Sequence, residues 1–99
     1  LALVLLDLAS RTEPGVGLTE ALRGQAHKRL GQLPQAAQAY RQAIALGEDS
    51  LEIRNNLGNI LIGFEQPEEA LKQFEAALRL APGNPTVLRN IERARTSMD

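Results

Sequence analysis

The chain has no cysteine and no tryptophan, and only one histidine and one methionine. Without thiols it can form neither a disulfide nor a thiolate metal site. Its single histidine, His27, has no second imidazole to share a metal and no nucleophile partner for base catalysis. Aromatic residues make up 3% of the chain, as Tyr40, Phe64 and Phe74. The formal net charge is −1, which leaves no basic footprint for nucleic acid and no polybasic anchor for a membrane surface. Valine is scarce and β-branched residues never alternate over a strand's length, so no sheet is expected. Neither the phosphate-cradling nor the dinucleotide-binding glycine loop occurs. The run Leu1–Leu6 is far shorter than the roughly 20 apolar residues that span a bilayer. Asp7 ends it, no basic flank precedes it and no small-residue cleavage site follows, so a targeting segment is not expected. A chain that begins with Leu1 is expected to be a piece of a longer protein or a processed product. Lack of cysteine suits any compartment, the cytoplasm being marginally favoured.

The composition is that of one small domain. Ninety-nine residues, 43% apolar and 23% charged, lie near globular averages. Ala, Leu, Gln, Glu and Arg dominate, all good helix formers. Turn signals divide the chain into about six helices. The first covers Leu1–Thr12 and stops before Pro14-Gly15. The second starts at Gly17 or Thr19 and ends near Leu30-Gly31. The third carries Pro34 in its first turn and ends at Gly47. Asp49 and Ser50 are both N-cap candidates for the fourth, with Glu52 placed as in a capping box. Pro67 opens the fifth, with Glu68 and Glu69 where the helix dipole favours acids. Asn84-Pro85 opens the last.

Slid against itself by 34 residues, the chain aligns Gly24 with Gly58, Ala36 with Ala70, Tyr40 with Phe74 and Ala43 with Ala77. Small falls on small and large on large. A glycine inside a helix costs about 1 kcal/mol relative to alanine, so its recurrence implies a close approach by a neighbouring helix. Ala36 and Ala70 are expected to face those glycines, and Tyr40 and Phe74 to fill the space between helices. Leu57 and Leu61 complete a buried stripe at helical spacing.

The run Leu57-Gly58, Leu61, Ala70, Phe74, Ala77, Pro82 resembles the tetratricopeptide repeat. Arg54 stands where that family prefers Trp, and Leu61 where it prefers Tyr. The earlier copy departs further, with Glu20, Arg23 and His27 in its large apolar positions and Glu48 in the place of Pro82. The resemblance implies an all-α, right-handed superhelical stack of antiparallel helix pairs. Residues 1–16 would be the second helix of a partial repeat, 17–50 and 51–84 full repeats, and 85–99 a capping helix or the start of a further repeat. Leu1, Leu5 and Leu8 would lie partly bare. That end is expected to stack on another repeat of the parent protein or to self-associate.

The resemblance implies a non-enzymatic module that binds a peptide or protein segment in a concave groove, with no cofactor. The first helix of each pair would line it. The candidate contacts are Gln25 and Arg29, then Glu52, Asn55, Asn56 and Asn59, then Arg89, Asn90 and Arg93. Leu18, Leu22, Gly63 and Thr86 lie on the same faces. Asn56 and Asn90 are one period apart and would stand one above the other, able to pair with a peptide backbone. The alternative is a solvated helix face, although Asn is a mediocre helix former and three in one helix ask for a reason. The carboxylate-clamp version of the family fits poorly, because Ala21, Gln25, Thr86 and Asn90 replace its cations and amide. His27 reads as a packing residue and Glu68-Glu69 as first-turn acids, since adjacent helix residues do not face each other. Two rival roles remain for the chain. One is the partner-recruiting segment of a larger enzyme of glycosyltransferase or sulfotransferase type, and the other a structural or oligomerisation spacer.

Overall fold

The computed structural model describes residues 15–99. The expected helix over Leu1–Thr12, and self-association through it, lie outside the described residues. Among those residues there are five helices and no strand: α1 (Val16–Arg29), α2 (Leu33–Ala45), α3 (Leu51–Gly63), α4 (Pro67–Leu80) and α5 (Pro85–Met98). They fall into two compact units, one ending at Glu48 and the other spanning Asp49–Asp99. The first contains the α1–α2 pair, the second α3, α4 and α5.

The helix ends follow from local chemistry. Leu46 closes α2, and Gly47 then turns left-handed at φ 91°. The Glu48 amide donates to Ala43 carbonyl at 2.9 Å and Gly47 to Ile44 at 3.0 Å. That pairing satisfies two of the carbonyls left open at the helix end. The same turn ends α1 at Gly31, with φ 75°. One period later it ends α3 at Glu65, which adopts φ 60° without the freedom of glycine. Ser50, not Asp49, caps α3: its hydroxyl accepts from the Ile53 amide at 3.2 Å. Asn84 caps α5 by accepting from the Val87 amide at 3.1 Å, with Pro85 in the first turn. Thr19 does not cap α1, which already begins at Val16; its hydroxyl donates back to the Gly15 carbonyl at 2.8 Å.

The residues that repeat at 34, together with Leu57 and Leu61 of the second copy, form the core. Ala36, Ala43, Leu57, Ala70, Phe74 and Ala77 are wholly buried, and Tyr40 and Leu61 nearly so. The aromatic rings are the nearest neighbours of the mid-helix glycines. A Cβ on Gly24 would lie 2.8 Å from Tyr40 Cε1, and one on Gly58 would strike the Phe74 ring. The unit containing α1 is the less apolar of the two in its first helix. Within α1 only Gly17 and Gly24 are buried, while Leu18 and Leu22 stand exposed. Glu20, Arg23 and His27 occupy its large apolar positions, and none of them is buried. His27 is half-buried, and its Nδ1 shares a 2.7 Å hydrogen bond with Gln32 Oε1.

Arg54 fills its aromatic position by a different means. Its Nε and Nη2 donate to the two Asp49 oxygens at 2.8 Å each, and Nη1 donates to buried Gln73 Oε1 at 2.9 Å. These hydrogen bonds hold the Asp49 carboxyl below the ordinary carboxylate range, with added attraction from Arg54 and Arg79 opposing the cost of burial. A depressed folded pKa contributes stability that is complete above the unfolded value and fades as pH falls through the folded one. Asp49→Asn is therefore expected to destabilise the Asp49–Asp99 unit at pH 7 by about 1 kcal/mol or less, because the pair is partly exposed. The deficit should close below about pH 4, towards the depressed folded value. Urea unfolding of both proteins across that range checks this; a deficit independent of pH would refute it.

Candidate functional site

The face of interest lies in the Asp49–Asp99 unit, on α3 and α5. On α3, Glu52, Asn55, Asn56 and Asn59 fall on one side at spacings of three and four. On α5, Thr86, Arg89, Asn90 and Arg93 do the same. Nothing about helix formation requires three asparagines in α3, since each competes with the backbone for hydrogen bonds.

Two of these asparagines join the helices. Asn90, only 7% exposed, donates from Nδ2 to Asn55 Oδ1 at 2.7 Å. Asn90 Oδ1 in turn accepts from Arg93 Nη1 at 3.3 Å. A chain of bonds thus runs from α3 through Asn90 to the exposed Arg93 guanidinium. This bond between the helices comes from Asn55, one residue before Asn56; Asn56 itself is half-buried. Arg89 is exposed, and its Nη2 lies 3.4 Å from Thr86 Oγ1. Glu52 is exposed in the first turn of α3. Asn59 sits one turn beyond Asn55, and its Oδ1 is buried with no hydrogen-bond partner among the described residues. A buried amide oxygen left in that state costs about 1–3 kcal/mol, so a donor at that point would be favoured.

Gln25 and Arg29 belong to α1 in the other unit. There they share a stripe with the exposed Leu18 and Leu22. The polar positions Glu20, Arg23 and His27 line a shallow groove of about 350 Å³ together with Gln35, Gln38 and Gln42 of α2. In the second unit an open depression of about 580 Å³ is lined by Ile62, Glu65, Pro67, Glu68, Ser97 and Met98. Neither depression includes any of the nine candidate contacts.

Sequence reasoning missed the roles of Asn55–Asn90 and of Arg54–Asp49–Gln73. The first was hidden because it spans one period plus one residue. The second could have been found by asking what replaces a missing aromatic: a long cation with an acid five residues earlier. No group of three or more His, Cys, Asp or Glu that could hold a metal occurs among the described residues. No described helix is long and apolar enough to cross a membrane. Glu69 lies 3.8 Å from Lys72 as an ordinary helix ion pair, while Glu68 is exposed.

The family model of the tetratricopeptide repeat matches residues 22–85. No curated protein matches the chain. The matched stretch runs from within α1 to the first residue of α5, so it covers both glycine–aromatic pairs.

Proposed function

This chain belongs to the tetratricopeptide repeat family, whose repeats are generally non-catalytic protein-interaction modules, and from that premise we propose that the α3–α5 face binds a peptide segment of another protein. Glu52, Asn55, Asn56, Asn59, Arg89 and Arg93 are the proposed contacts, with Asn90 positioning Asn55 and Arg93 rather than meeting the ligand. Gln25 and Arg29 are proposed as contacts of the first unit's own face. The observation that carries the reading is the row of amides on one side of α3, where Asn55 is tied to Asn90 of α5 at 2.7 Å and Asn59 follows one turn on. A peptide N–H can donate to a side-chain amide oxygen, and the amide can return the bond from its Nδ2 to a peptide carbonyl.

Asn59→Ala tests this. The substitution removes an unsatisfied atom, so the unfolding midpoint should stay within about 0.5 kcal/mol of wild type or rise. Peptides selected by display on the wild-type protein should bind Asn59→Ala about tenfold more weakly, as loss of a buried hydrogen bond requires. Selected peptides that bind both proteins equally in calorimetry would overturn the reading.

A further inference from the structure

We infer that Arg89 and Arg93 form a paired cationic subsite that receives two acidic side chains of an extended peptide, two residues apart in its sequence; this rests on the groove reading above. The ion pairs of the described residues join Arg23 to Glu20, Arg54 to Asp49 and Lys72 to Glu69. Arg89 and Arg93 meet no carboxylate among the described residues, although Glu92 is close to both in sequence. Their side-chain partners are neutral: Thr86 Oγ1 at 3.4 Å and Asn90 Oδ1 at 3.3 Å. A guanidinium carries five N–H donors, so most of each fork remains open. Like charges one turn apart repel mildly, and an anionic partner relieves that. Arginine rather than lysine suits a carboxylate, which it can hold through two parallel bonds.

Spacing selects the ligand. Residues four apart on a helix are separated by about 6 Å along its axis. In an extended peptide, side chains on one face are two residues and about 6.6 Å apart. Adjacent residues point to opposite faces, and a three-residue separation overshoots. An extended rather than helical ligand also leaves its backbone free for Asn55 and Asn59, whereas a helix consumes its own amides. Arg93 is held by Asn90, and Asn90 by Asn55, so one arm of the subsite is oriented before the ligand arrives.

The test is peptide display on four proteins: wild type, Arg89→Gln with Arg93→Gln, Arg95→Gln and Asn59→Ala. Arg95 is exposed on α5 and lies off the Arg89–Arg93 stripe. The wild-type and Arg95→Gln pools should be enriched in acidic residues at positions i and i+2. The double variant should lose that enrichment. An individual Glu-x-Glu binder should lose about tenfold in affinity when remade as Gln-x-Gln. That loss should shrink with added salt. Binders without acidic enrichment, or enrichment equally lost in Arg95→Gln, would overturn this inference while leaving the groove reading intact. Failure of the wild-type protein to select any peptide would overturn both.

Discussion

Phe74→Ala is expected to destabilise the Asp49–Asp99 unit by about 3–5 kcal/mol, the usual cost of removing a fully buried aromatic ring. The ring is wholly inaccessible and lies against the backbone of α3 at Gly58. Nothing nearby can follow it inward cheaply. Its own helix offers Ala70, Ala76 and Ala77 as buried neighbours in sequence, and these have no side-chain length to spare. Alanine at 74 would therefore leave a cavity between α3 and α4. Small domains carry only about 5–15 kcal/mol of net stability, so the variant should be substantially unfolded at 37 °C or unfold at far lower denaturant. Phe74→Leu keeps most of the volume and should cost much less, about 1–1.5 kcal/mol. Denaturant melts followed by helical circular dichroism measure both. A loss below about 1 kcal/mol for alanine would mean that the ring is not a core element.

The same residue shows what could be read without coordinates. Phe74 and Tyr40 were legible because packing two helices demands a small residue opposite a large one, and that demand recurs at each repeat. Gly31 and Gly47 were legible as helix stops because a left-handed residue is most cheaply a glycine. Glu65 adopts the same turn at φ 60° yet carries no such mark, and only its alignment with Gly31 points to it. At Asp49, two local uses of one carboxylate competed. Capping α3 was open to either Asp49 or Ser50; Ser50 took it, and Asp49 turned to Arg54. The candidate site was legible as a face but not as a network. Asn55 meets Asn90, because the contact depends on how α3 and α5 are rotated about their axes, which a sequence period does not state. That rotation also decides that Asn90 is buried and positions Arg93, while Asn59 keeps an unpaired oxygen.

Gly58→Ala should destabilise the same unit by about 1–3 kcal/mol, against the direction of helix propensity. In an open helix the change would stabilise by about 1 kcal/mol, since alanine loses less backbone freedom. Here the new Cβ would lie 2.8 Å from Phe74 Cδ1 and Cζ, closer than carbon atoms pack. The ring cannot swing aside, because it is fully enclosed. Either α3 and α4 separate, or the ring leaves its rotamer. Gly63 supplies the control: it is in α3, exposed, and a Cβ there meets nothing within 4 Å. Gly63→Ala should therefore be neutral or stabilising. Combining Gly58→Ala with Phe74→Leu should cost less than the sum of the two single changes, because the smaller side chain makes room for the methyl group. Residues in direct contact show coupling of about 0.5–3 kcal/mol in such cycles, whereas independent sites add. Strict additivity, or a Gly58→Ala protein as stable as Gly63→Ala, would show that the glycine at this offset is not there to admit the ring.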